Sequence, residues 1–102
     1  MITFNVKRLT SSACLPSYGR KGDAALDFYA DESYTMKPGE RYGYSTGIAV
    51  SFPEDHVLLF RGRSGLAFKQ GVNPLGGVID SNYRGEIKIL LHNTSDEPVE
   101  IV

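Results

Sequence analysis

Gly76-Gly77-Val78-Ile79-Asp80-Ser81-Asn82-Tyr83-Arg84-Gly85-Glu86-Ile87-Lys88-Ile89-Leu90-Leu91 is the stretch on which the reading of this chain turns. A strand through Val78 and Ile79 is expected to end at Asp80, turn over Ser81-Asn82, and re-enter extended structure after Gly85 as the second arm of a hairpin. Asp80 and Tyr83 then fall in the turn, where the backbone can present them to a ligand. A carboxylate and an aromatic ring set between glycines suit chemistry better than packing.

Outward from this stretch the periodicity is that of strands. Ile2-Phe4-Val6 alternates with Thr3-Asn5-Lys7, Ile48 to Phe52 is short and β-branched, and Val57-Leu58-Leu59-Phe60 is a compact apolar run. Glycines and prolines punctuate the chain so closely that no window long enough for a helix of several turns is free of them. Ser64 to Lys69 is the one short helical candidate. Lys37-Pro38-Gly39-Glu40 has the Pro and Gly positions of a type II turn. These features predict a single all-β domain over residues 1–102, a sandwich or barrel.

Composition narrows the function classes. A chain of 102 residues with 11 basic and 12 acidic side chains, net charge -1, offers no electrostatic reason to expect a nucleic-acid groove or a membrane surface as partner. Its apolar runs are far shorter than a bilayer requires. The N-terminal segment lacks the apolar stretch of a secretion signal, so an intracellular, cytoplasmic location is expected. The lone Cys14 has no disulfide partner, and neither Cys nor His occurs at metal-ligand spacing.

Three segments place polar residues where strands and turns meet. In Gly22-Asp23-Ala24-Ala25-Leu26-Asp27-Phe28-Tyr29-Ala30, a strand would point Asp27 away from Leu26 and Phe28. Taken alone, Asp27 reads as a surface carboxylate. In Arg61-Gly62-Arg63-Ser64-Gly65-Leu66-Ala67, a guanidinium, a hydroxyl and glycine amides offer the donors a phosphate chain needs, although such a turn is often only a solvated loop. In the opening stretch, Asp80 suits a general base on water and Tyr83 a flat contact with a sugar or base. An Asp in a turn beside a half-buried Tyr is the equally available plain reading.

The three segments, in this order, resemble the trimeric deoxyuridine triphosphatase (dUTPase) family. Gly22 to Ala30 is similar to its first motif, Arg63 to Ala67 to its second, and Gly77 to Glu86 to its third, the most specific. The resemblance implies a jelly-roll β fold, a homotrimer with active sites between subunits, and hydrolysis of dUTP to dUMP and pyrophosphate with Mg²⁺. It implies that Asp80 deprotonates the attacking water, and that Tyr83 supports the deoxyribose and shuts out a 2'-hydroxyl. Arg63, Ser64 and Gly65 would hold phosphates, the backbone around Gly77 and Ile79 would select uracil, and Asp27 would order the metal's water shell. Gly62, Ala25 and Asn82 depart from the family's commonest residues, which are Pro, Gly and Asp there. The resemblance covers the first three of five motifs, the chain ending at Val102 before the fourth and fifth.

The alternative class is a weak or inactive dUTPase-like module that binds a nucleotide or a protein partner. A dCTP deaminase would share the fold and the Arg-Ser turn, but the Asp80 and Tyr83 arrangement is the hydrolase's. His56 is expected to be solvated, His92 to make a structural hydrogen bond, Arg84 to brace the hairpin, and Glu86 to lie on an exposed strand face with Lys88.

Overall fold

Short apolar segments cut by turns can bury a core only by pairing across long stretches of chain. The computed structural model describes residues 2–102. Among them, strands form at β1 (Asn5–Arg8), β2 (Tyr34–Met36), β3 (Arg41–Ser45), β4 (Ile48–Ser51), β5 (Leu58–Leu59), β6 (Val72–Pro74), β7 (Val78–Ile79), β8 (Lys88–Asn93) and β9 (Val99–Ile101), with one helix, α1 (Ser64–Gln70). Every pairing is antiparallel: β1 with β4, β2 with β9, β5 with β7, and β8 between β3 and β6. No strand pairs with its immediate successor, the wiring of a jelly-roll-like all-β fold.

That wiring corrects the hairpin expectation. β7 leaves into the turn as expected, but it pairs with β5 through Leu58↔Ile79 and Leu59↔Val78, while β8 pairs elsewhere. The cause is burial. Leu58 and Ile79 pack against a core of Ala13, Ile48, Val50 and Ile87, and β8 gains two ladders by lying between β3 and β6. The Gly22 to Ala30 segment is likewise no strand. Asp27 makes only an isolated bridge to Ser17, its N–H donating to the Ser17 carbonyl at 2.7 Å. The N-terminal strand starts at Asn5 rather than Ile2.

The expected turn at Lys37 to Glu40 forms, with Gly39 at φ +79° and the Glu40 N–H on the Lys37 carbonyl at 3.0 Å. The short helical candidate becomes α1, seven residues long, closed by Gly71 at φ +67° with its N–H on Ala67 and Leu66 carbonyls.

A second core gathers Met36, Tyr44, Val72 and Val99. Around it Tyr34 and Tyr42 stack with ring centroids 3.7 Å apart, and the Tyr44 ring meets Tyr42 edge-on at 4.8 Å. Their hydroxyls are all satisfied: Tyr34 donates to Glu40 at 2.5 Å, Tyr42 to Glu32 at 2.7 Å, and Tyr44 to the Tyr34 carbonyl at 2.7 Å. Asn93, fully buried, donates from Nδ2 to the Met36, Lys37 and Glu97 carbonyls, and its Oδ1 accepts from Ser95. The carboxamide satisfies backbone oxygens that would otherwise be stranded. The structural hydrogen bonds expected of His92 are made by its neighbour.

The two cores meet at the corner between β3 and β4. Thr46, fully buried, donates from Oγ1 to the Ile87 carbonyl at 2.7 Å, and the Ile87 N–H returns to the Ile48 carbonyl at 2.8 Å. Gly47 sits at φ +67°, and a Cβ there would lie 2.8 Å from Thr10 Oγ1 and from the Ala13 Cβ, and 2.9 Å from Asp31 Oδ2. Gly47→Ala is therefore expected to destabilise by about 3 kcal/mol or more, backbone strain and overpacking acting together. Gly39→Ala, with φ +79° but nothing within 4 Å, should cost only about 1 kcal/mol. Urea titrations of the two variants check the contrast, and equal losses would refute the crowding argument.

Hydrogen-bonded carboxylates contribute to stability on the acid side. The Ser45 N–H and then the Tyr42 hydroxyl hold Glu32 below its ordinary value of 4.5, and the Tyr34 hydroxyl and then the Lys37 N–H do the same for Glu40. A carboxylate with a depressed folded pKa contributes stability above its unfolded pKa and loses it as pH falls through the folded one. Burial pushes Tyr44 up to about 12 from 10.0, so stability should also fall as pH rises from 10.0 towards 12. Melting temperature against pH should show a plateau bounded on both sides, and Glu32→Gln should flatten the acid limb.

Candidate active site

The β5–β7 pairing carries the site. The ladder ends at Leu58 opposite Ile79, and the segments that leave it bring His56 and Val57 to the same cleft as Asp80 and Ser81. An open cleft of about 640 Å³ forms there, lined by Phe52, Glu54, His56, Val57, Asp80, Ser81, Asn82 and Arg84. Asp80 lies exposed at its edge, and its carboxylate accepts no side-chain or backbone hydrogen bond among the described residues. A carboxylate left unengaged beside a cleft can take a proton from a water held there.

The turn behind Asp80 is braced from within. The Tyr83 N–H donates to the Asp80 carbonyl at 3.1 Å, and Arg84 Nη1 donates to the Ser81 carbonyl at 2.5 Å and the Tyr83 carbonyl at 3.3 Å. Arg84 therefore holds the turn as expected while also lining the cleft. Tyr83 stands outside that cleft, 43% exposed, its hydroxyl donating to the Glu86 carbonyl at 2.7 Å. Gly77, at φ +90°, accepts the Phe60 N–H at 2.8 Å, and Ile79 turns its side chain into the core.

Arg63, Ser64 and Gly65 are exposed at the start of α1 and do not reach the Asp80 cleft within one chain. Arg63 is extended at the helix N-cap, its side chain making no capping bond. The first helical bond runs from Ala67 N–H to the Arg63 carbonyl, so the preceding amides have no partner within α1. Asp27 is half-buried in a third location. Among the described residues no three His, Cys, Asp or Glu side chains converge on one point. A cation that keeps most of its waters needs only one or two carboxylates. The Asp27 and Asp23 carboxylates lie near each other, since a Cβ at Gly19 would meet their Oδ2 atoms at 3.0 and 3.3 Å, and Asp23 Oδ2 also accepts the Arg20 N–H at 2.8 Å.

Three residues carry more than their sequence suggests. His56, far from Asp80 in the chain, joins its cleft, its Nδ1 2.7 Å from Asp55 Oδ1. Only the strand register brings it there, and nothing local signals it. Glu86 is not on an exposed face: it is half-buried, and its Oε2 accepts the Gly47 N–H at 2.9 Å. Gly85 lies under the Tyr83 ring, where a Cβ would come within 2.7 Å of the hydroxyl oxygen. No helix among the described residues is long and apolar enough to cross a membrane.

A family model described as dUTPase matches residues 11–102. The deoxyuridine 5'-triphosphate nucleotidohydrolase of Hydrogenobaculum sp. (strain Y04AAS1) is 48% identical over 99 residues, covering 94% of this chain and 69% of the relative. The protein of the same name from Zymomonas mobilis subsp. mobilis is 43% identical over 104 residues, covering 98% and 71%. Among solved structures, a mutant dUTPase of phage phi11 of S. aureus, described for its coordination of a structural Mg(II) ion, superposes at a TM-score of 0.85 with 33% identity over 91% of this chain. A mutant dUTPase of phage 80alpha gives 0.86 with 34% identity over 91%. The chain spans 61% and 56% of those two structures.

Removing the turn's brace should loosen it locally. Arg84→Ala is expected to speed hydrogen exchange at the amides from Ser81 to Gly85, with a cost of about 1 kcal/mol in global stability. Unchanged exchange there would show that the guanidinium does not hold the turn.

Proposed function

We propose, on the premise that this chain belongs to the dUTPase family, that it hydrolyses dUTP to dUMP and pyrophosphate with Asp80 as the general base. The observation that carries this reading is the unengaged Asp80 carboxylate at the edge of an open cleft, on a turn braced by Arg84. Asp80 takes a proton from the attacking water and so raises its nucleophilicity towards phosphorus. Tyr83 presents its ring to the deoxyribose and leaves no room for a 2'-hydroxyl. The backbone from Gly77 through Ile79 faces the uracil, while the side of Gly77 where a Cβ would stand is closed by the Phe60 backbone at 3.1 Å.

Arg63, Ser64 and Gly65 hold the phosphates, the guanidinium offering paired donors and the others a hydroxyl and amides. Asp27, with Asp23 beside it, holds the water shell of Mg²⁺. Bound Mg²⁺ supplies charge neutralisation on the phosphate oxygens. In a single chain these groups lie apart from Asp80, so the complete site is assembled from neighbouring copies in a homotrimer. Apolar side chains support that assembly: Phe68 is 93%, Val78 61% and Leu59 49% exposed.

A single chain without its neighbours would be a nucleotide-binding module, which is the second reading. The separation of Arg63 from the Asp80 cleft favours it wherever the protein is monomeric.

Pyrophosphate release with Mg²⁺ should be selective for dUTP over UTP, dTTP and dCTP. Asp80→Asn should lower it by about 10³-fold while leaving nucleotide binding nearly intact. Full activity in Asp80→Asn would remove Asp80 from the role of base. A dUTP-dependent rise in melting temperature without turnover would support the binding module.

A further inference from the structure

We infer that Gly85 and Glu86 are positioning residues that set the reach of the Tyr83 ring, and through it the discrimination between deoxyribose and ribose nucleotides. The inference rests on the reading of Tyr83 as the residue that faces the sugar. Three contacts fix the ring. Its hydroxyl donates to the Glu86 carbonyl at 2.7 Å, which pins the far end of the side chain. Its edge lies across Gly85, where a Cβ would stand 2.7 Å from the hydroxyl oxygen, 2.9 Å from Cζ and 3.2 Å from Cε1. Glu86 is itself anchored, its Oε2 accepting the Gly47 N–H at 2.9 Å at the crowded β3–β4 corner.

Gly85 is not in the left-handed region, so its backbone does not require glycine. The requirement is the ring. Any side chain at this position lifts Tyr83 away from its seat, and losing the Glu86 anchor lets the carbonyl that pins it move. A ring displaced by an ångström no longer fills the volume that a 2'-hydroxyl would occupy, and exclusion by volume falls off steeply with such a displacement. Glu86 and Gly85 touch no substrate in this arrangement. They act through Tyr83 alone.

The test uses the full chain and the ratio of kcat/KM for dUTP to that for UTP, with binding of both nucleotides followed by thermal shift. Gly85→Ala should lower the ratio about tenfold, mainly by improving UTP. Tyr83→Phe, which removes the pin without adding volume, should lower it about fivefold, and keeps the test open if Gly85→Ala does not fold. Glu86→Ala should lower it and Glu86→Gln, which keeps an acceptor oxygen for Gly47, should restore it. In a Tyr83→Ala background Gly85→Ala should change nothing further; an undiminished effect there overturns the inference.

If Tyr83→Ala lowers the ratio and neither Gly85→Ala nor Tyr83→Phe does, the seat is irrelevant and the inference fails while the reading of Tyr83 stands. If Tyr83→Ala leaves the ratio unchanged, that reading falls and the inference with it. A readout free of nucleotide is the nuclear Overhauser contact between the Tyr83 ring and the Gly85 α-protons, expected in the native chain. Its absence overturns the seat directly.

Discussion

The buried exchange of hydrogen bonds between the Thr46-Gly47-Ile48 corner and Glu86-Ile87 is the interaction on which the rest of the structure depends. Thr46 Oγ1 and N–H both reach the Ile87 carbonyl, the Ile87 N–H returns to Ile48, and Gly47 N–H closes on Glu86 Oε2. Buried polar groups this close to one another must all be satisfied or all be costly. Here they are satisfied, and the corner therefore has one geometry. It hands β3 to one core and β4 to the other, and it fixes where the chain emerges from the Asp80 turn.

From that fixed point the site is built backwards along the chain. Glu86 is held by Gly47, its carbonyl holds the Tyr83 hydroxyl, the Tyr83 N–H holds the Asp80 carbonyl, and Arg84 spans the carbonyls between. Each link is an ordinary hydrogen bond contributing about 1 kcal/mol. Joined in series to a rigid corner, they restrict a six-residue turn that has no ladder of its own. Placing functional groups on a loop braced by a rigid scaffold is the usual solution to presenting side chains in a set geometry.

Much of this was legible in the residues. The all-β class follows from short alternating runs between breakers, and the Pro38-Gly39 turn and the helix ending at Gly71 follow from local backbone preferences. Asp80, Tyr83, Arg63 and Ser64 are candidates that residue type and spacing alone leave level with plain turn readings, and only the order of the three segments, by its resemblance to the dUTPase family, singles them out. What escaped was long-range. Nothing local says that Val78-Ile79 pairs with Leu58-Leu59 rather than with the strand after Gly85, because both partners offer the same apolar, β-prone residues. His56 is exposed, as read, but its place in the Asp80 cleft depends on that pairing and has no local signal. Glu86 was read from alternation as exposed, but its partner is a backbone N–H 39 residues back, which side-chain periodicity does not report. The Gly22 to Ala30 segment has apolar residues enough for a strand, but a single bridge to Ser17 is all the pairing that it finds.

The β5–β7 register ties the cleft to an outward apolar pair beside it. With Leu58 opposite Ile79, both side chains pack against the core that includes Ile87, Val57 and Asp80 line one cleft, and Leu59 and Val78 are left facing outwards as a directly opposed pair. Alternation in a strand makes these consequences inseparable, because a slip of one residue would exchange the two faces. Burying Leu59 and Val78 instead would expose Leu58 and Ile79, leave Ile87 without its neighbours, and draw His56 and Val57 out of line with the Asp80 turn. The register that creates the cleft thus also creates an outward apolar pair beside it.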